Sequence, residues 1–313
     1  MTGRRIEALD FLKCVCIGLM VVFHLAYVGD KYPAVKTFVY TFHMPAFLLV
    51  SGYLMKPCKA PRPFFRGLLW LFIPYAVMET GYVLMSAVLP VREPVVSLTT
   101  GLWLQKLFVN PLGPYWYLHT LMLCQLLAYG VYRLPGRWSE ALRLGCLALL
   151  FGGVSLLFQK FSWADSLYFG AGLFLARIGV GFTTFFRPSL WACLPLAVLA
   201  CFPVCHDRAT PGGVAIVWLV VSALLDVYGR LPREGRVRAV CHFIGRNTLV
   251  ILLFSPVFTM LAKFAVPWFA FDPTGLLYAV AATAFTLVGS LGGAWALDRL
   301  HLSRWFLGRQ ALS

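Results

Sequence analysis

Stretches without a charged residue recur along this chain, at 14–29, 37–55, 107–132, 144–159, 188–206, 209–225, 247–262 and 273–297. Crossing the hydrocarbon core of a bilayer takes a helix of about 20 residues. With charges allowed near the ends, the pattern predicts ten membrane-spanning helices. They lie at roughly 8–29, 37–55, 66–90, 114–132, 142–159, 164–182, 188–205, 211–229, 247–266 and 273–297. Glu79 falls inside the third, and Arg177 breaks the sixth, which leaves that end open. The fold class that follows is all-α: a polytopic transmembrane bundle of about ten helices, in a single domain over 1–313.

Composition supports this reading and removes others. Of 313 residues, 60% are hydrophobic and 12% charged, with a mean hydropathy of +0.78. Soluble domains carry about 25% charged residues, so this chain lacks the polar shell of a soluble enzyme. A disordered chain and a nucleic-acid binder are excluded on the same ground. The net charge is nevertheless +15. With the N-terminus inside, nineteen basic residues fall on inner segments and seven on outer ones. That asymmetry is the positive-inside pattern, and it predicts a multi-pass protein of the bacterial cytoplasmic membrane with both termini cytoplasmic. Arg4 and Arg5 precede an apolar stretch as in a signal peptide, but Asp10 and Lys13 lie within it, so a retained first span is expected. Nine cysteines without CxxC spacing give no disulfide framework and no zinc site. The tail after residue 298 is read as too short to fold alone.

Ionisable groups inside spans are costly and mark functional sites. The first span holds Asp10, Lys13 and His24. Lys13 and His24 are eleven residues apart, so they share one helix face at a separation of about 16 Å. Lys13 either snorkels to the inner interface or shares a wet tunnel with His24. The second span carries His43 at the depth of His24, then Ser51 and Gly52. The fourth opens with Tyr115, Trp116, Tyr117 and His119, either an interfacial belt or a stacking platform for a sugar ring. On the inner side, Arg62 and Arg66 are spaced to share a helix face and to clamp a phosphate, whereas topology accounts for Lys56 and Lys59. Glu79 is expected to pair with Lys13 or a histidine. Asp10 either caps the first helix or orients Lys13.

A cationic inner cluster, a lysine below a histidine and an aromatic outer layer suit a molecule that crosses part of the bilayer to meet an acceptor outside. Histidine suits general-base work on a hydroxyl at neutral pH. The Lys13–His24 separation matches the reach of an extended pantetheine arm. A transporter or flippase for a glycolipid or small anion is the rival reading; it calls for an inverted repeat or paired broken helices, which the sequence does not display.

Several blocks resemble the bacterial integral-membrane acyltransferase family 3, the membrane O-acetyltransferases of surface glycans. They are Ala8-Leu9-Asp10-Phe11-Leu12-Lys13 through Phe23-His24, and Phe42-His43-Met44-Pro45-Ala46-Phe47 with Ser51-Gly52-Tyr53. Weaker matches are Arg66 to Pro74-Tyr75, Tyr115-Trp116-Tyr117-Leu118, and Gly245-Arg246-Asn247-Thr248-Leu249. The family's basic-x10-His motif falls on Lys13 and His24. The resemblance implies about ten helices and acyl transfer from cytoplasmic acetyl-CoA to a glycan hydroxyl outside, without a metal. It implies His24 as the catalytic residue and Lys13 as its basic partner; the residues themselves point to Arg62 and Arg66 as weaker donor-side candidates and to His43 with the Tyr115–His119 segment on the acceptor side. Asp10, Glu79 and Ser51 would support them. Ser255 stands where many members place a histidine, which puts a role for the ninth span in doubt. The soluble esterase-like domain of some members does not appear in the sequence; any onward transfer would need a separate periplasmic transferase.

Overall fold

A computed structural model describes residues 5–87 and 98–312, and within them the chain is helical without a strand. Fifteen α-helices follow in order: α1 (Glu7–His24), α2 (Ala26–Lys31), α3 (Pro33–Leu54), α4 (Pro61–Ser86), α5 (Thr100–Phe108), α6 (Trp116–Val131), α7 (Glu140–Leu157), α8 (Trp163–Arg177), α9 (Phe182–Phe186), α10 (Cys193–Ala200), α11 (Pro211–Arg230), α12 (Arg236–Arg246), α13 (Thr248–Ala262), α14 (Leu276–Arg299) and α15 (Ser303–Phe306). Prolines open α3, α4 and α11, where the missing amide costs nothing. Side chains of Thr99, Ser139, Ser162 and Thr210 cap α5, α7, α8 and α11.

The predicted spans coincide with helices, with instructive departures. The first is broken: α1 stops at His24, Leu25 is extended, and α2 restarts at Ala26. The sixth ends at Arg177, giving 15 residues. The seventh is no single helix; an eight-residue α10 lies between two 3₁₀ turns, with Pro203 opening the second. The last residues of the third span lie outside the described residues. Among the described residues, six helices are long and apolar enough to cross a membrane: α3, α4, α7, α11, α14 and α13 with its 3₁₀ extension to Phe269. Glu7, Asp10 and Lys13 make α1 too polar for that standard. Outside the predicted spans lie α5, the arginine-rich α12, α15 and all but the first residue of α9.

α1 and α3 form the centre. α3 crosses α8 so closely that a Cβ on Gly52 would overlap the Phe169 carbonyl, and one on Gly172 the Leu49 carbonyl. Small residues let helix backbones approach in a membrane, where lipid removes the hydrophobic drive for association. α12 meets α1 in the same way, with Gly245 against the Asp10 carbonyl. The main core is built from the inward faces of α1, α3, α6, α8, α11 and α13.

Candidate active site

The polar residues of α1 are anchored from both ends. Asp10 is buried; its carboxylate takes Lys13 Nζ at 2.8 Å and Arg5 Nε at 2.7 Å, with Arg246 Nε at 3.9 Å. Ile6, not Asp10, is the N-cap of α1, and Asp10 therefore orients Lys13. Eleven residues on, the His24 Nδ1–H donates to the Met20 carbonyl at 2.7 Å. A carbonyl can only accept, so the neutral ring carries its proton on Nδ1 and its basic lone pair on Nε2.

Lys13, Ile17, Met20 and His24 form one stripe along α1, and cavities follow it. His24 lines a cavity of about 230 Å³ with Tyr40, Tyr82 and residues of α13. Ile17 and Met20 line a middle cavity of about 170 Å³ with Ser51 and Tyr117, whose hydroxyls lie 3.0 Å apart. Lys13 closes that cavity and also lines two larger ones at the other end, of about 570 and 800 Å³. The middle cavity and the first of these share Lys13, Ser51, Leu71 and Leu249. Arg5, Lys56, Lys59 and Arg177 line a cavity at the Lys13 end, and Asp30, Lys36, Asp207 and Arg208 line one beyond Tyr40.

Four expected residues, Arg62, Arg66, His119 and Glu79, do not reach a cavity wall in the expected way. Arg62 and Arg66 are not part of the wall of the 570 Å³ cavity, whose cations are Lys13, Lys56, Lys59 and Arg309. The spacing of Arg62 and Arg66 aligns them with each other, but the orientation of α4 decides which side faces inward. His119 donates from Nε2 to the Phe108 carbonyl at 2.8 Å, away from His24. Glu79 accepts the Leu112 N–H at 2.7 Å, and Lys13 is paired with Asp10 instead. With Tyr75, whose hydroxyl donates to the Leu107 carbonyl at 2.7 Å, Glu79 and His119 clamp the connection from α5 to α6. That connection continues into Gly113 and Pro114, which line the His24 cavity. These buried polar groups position the wall rather than form it.

The remaining residues are close to His24 without all touching its cavity. Tyr40 stacks at 6.2 Å from His24 and lies 4.9 Å from His43, so it stands between the two histidines. His43 is buried, its Nδ1–H held by the Val39 carbonyl at 2.9 Å. Tyr115 is buried and donates to the Leu253 carbonyl at 2.8 Å, while Trp116 packs edge-on against Tyr117. The ninth span, doubted because of Ser255, supplies much of the His24 cavity: Ser255, Pro256, Thr259 and Met260 on α13 and Lys263 beyond it. Ser255 and Thr259 share a face by their i, i+4 spacing; that regularity is visible in the sequence, but its direction is not. Among the described residues no three His, Cys, Asp or Glu side chains converge as a metal site.

No curated protein and no solved structure matches. The acyltransferase domain model of acyltransferase family 3 matches residues 6–295, which contains both polar ends of α1 and every cavity-lining helix described above. The chain is a member of acyltransferase family 3.

Proposed function

We propose that the chain is a membrane O-acyltransferase that moves an acyl group, acetyl by preference, from acyl-CoA at the Lys13 end to a glycan hydroxyl at the His24 end. The observation that carries this reading is the stripe Lys13–Ile17–Met20–His24, which lines cavities at both ends of α1. The Lys13 end is cytoplasmic, as the positive-inside rule requires, and the acceptor is a surface polysaccharide or its lipid-linked precursor outside the bacterial cytoplasmic membrane. A separate periplasmic transferase would receive the group where the acceptor is modified in two steps.

His24 Nε2 takes the proton of the acceptor hydroxyl while Nδ1–H stays on the Met20 carbonyl. The acceptor oxygen attacks the thioester carbonyl; the C–O bond forms, the C–S bond breaks, and the imidazolium returns the proton to the departing CoA thiolate. Holding thioester and hydroxyl together at the His24 end supplies proximity. Lys13, held by Asp10, orients the donor arm where the cavities meet.

The test is transfer of labelled acetyl from acetyl-CoA by purified protein in detergent, against a panel of bacterial glycans and lipid-linked precursors. Transfer or donor turnover is expected. Substrate flux across liposomes with no donor turnover would assign a transporter instead.

A further inference from the structure

The chain beyond residue 295 lies outside the family match, yet it folds back onto the bundle. The Asp298 carboxylate accepts the Ala311 N–H at 2.7 Å and the Leu312 N–H at 3.0 Å, closing a loop around α15. Leu307 and Ala311 are buried in the main core, and Phe306 packs on Phe254 at 6.2 Å. Gly308 has a φ of 68° and lies against the Trp70 indole, where any Cβ would overlap the ring. Only glycine meets both conditions. The result is a turn, 307–309, built into the wall of the 570 Å³ cavity.

That cavity is lined by four cations, Lys13, Lys56, Lys59 and Arg309, and by no carboxylate. A concave site of one charge sign focuses its field on a polyanion, and a guanidinium binds phosphate oxygens with a two-pronged fork. Its wall shares Lys13, Ser51, Leu71 and Leu249 with the apolar middle cavity, so the two lie side by side. A ligand that fits both parts is anionic at one end and slender and uncharged at the other.

We propose that the C-terminal turn is part of the donor site, and that Arg309 with Lys56 and Lys59 holds the phosphate groups of a nucleotide thioester. The inference rests on the acyltransferase reading above. Asp298 and Gly308 are positioning residues that dock the turn. The thioester arm then passes Lys13 into the middle cavity.

The experiment is titration of the full chain in detergent with two ligands, acetyl-CoA and S-acetylpantetheine, which carries the thioester arm without phosphates. Arg309→Ala is expected to weaken acetyl-CoA binding about ten-fold or more, the size of a lost charge-assisted hydrogen bond, and to leave S-acetylpantetheine unchanged. Arg309→Lys should recover part of the loss. Gly308→Val should release the turn, reproduce the acetyl-CoA loss and speed tryptic cleavage after Arg304 and Arg309 by loosening the backbone around them. Unchanged acetyl-CoA affinity in Arg309→Ala overturns this inference and leaves the acyltransferase reading standing. Equal losses for both ligands also overturn it, because a general structural defect moves both. A wild-type protein that binds neither ligand overturns the acyltransferase reading and this inference together.

Discussion

α3 and α7 look alike as apolar segments, yet they occupy opposite places in the molecule. α7 is the more hydrophobic, with a mean hydropathy of 1.6 against 1.2, but 11% of its apolar window is buried in the protein against 61% for α3. In water the more apolar helix would be the more buried. In lipid the outer face of the bundle is solvated by hydrocarbon, so hydropathy no longer sorts core from surface. What pulls α3 inward is its small and polar residues: Gly52 lets it touch α8, and His43 and Ser51 need partners that lipid cannot offer. α7 presents Leu149 and Leu156 to the outside, 80% and 87% exposed. α1 carries the principle furthest, being too charged to pass as a span and yet central.

The strongest way to break the contrast is to give α3 a side chain at its crossing. Gly52→Val should cost about 3 kcal/mol or more and leave little folded protein, read by thermal unfolding in detergent. A melting temperature within a few degrees of wild type would mean that the α3–α8 crossing does not hold the bundle together. His24→Ala should instead spare the fold and lower transfer by roughly 10²–10⁴-fold, the usual scale for a general base. Parallel acetyl-transfer and unfolding assays check it; activity and stability falling together would make His24 a packing residue. Asp10→Asn keeps the shape but removes the charge that gathers Arg5 and Lys13. A donor KM raised about ten-fold with a smaller change in kcat is expected from steady-state kinetics, and an unchanged KM would separate Asp10 from donor positioning.

On the peripheral helix the same kind of change should be nearly silent. A Cβ on Gly153 of α7 meets nothing within 4 Å. Gly153→Ala is therefore expected to be neutral or to stabilise by up to about 1 kcal/mol through helix propensity, and clear destabilisation would show that α7 packs against something outside this chain. The smallest effect belongs to the loop before α14. The Thr274 side chain, and then the Leu277 amide, donate to Asp272 and hold its carboxyl below the usual carboxylate range. A lowered folded-state value adds stability above the ordinary carboxylate pKa and loses it as pH falls through the lowered one. The protection factor of the Leu277 amide, corrected for the intrinsic pH dependence of exchange, should fall on acidification below about pH 4, and Asp272→Asn should abolish that dependence.

Much of the fold was legible because the membrane imposes a length on every apolar segment. The exceptions are physical. The break after His24 has no proline or glycine at Leu25 to announce it. The seventh span failed at Pro203, a breaker visible in the sequence but outweighed there by apolar length. α12 was missed because a search for apolar runs passes over a helix with three arginines. At the candidate site, Lys13 and His24 could be placed on one face by helical arithmetic alone. Lys56, Lys59 and Arg309 could not be preferred over Arg62 and Arg66, because spacing within a helix says nothing about which face meets a neighbour. Glu79 and His119 announced themselves as costly polar groups, but their partners are backbone groups of the α5–α6 connection, which no residue pattern encodes.

By itself, then, the sequence determined the all-helical membrane class, the family and the stripe on α1, since apolar length, charge asymmetry and helical period are local quantities that any stretch of chain carries. Tertiary structure alone decided which helices are central, that α13 faces His24, and that the C-terminal turn enters the cavity beside Lys13. Each of these depends on how close two backbones come and which faces they turn to each other. Those choices are made by glycine crossings and buried hydrogen bonds between residues distant along the chain, such as Gly245 against Asp10 and Tyr115 against Leu253.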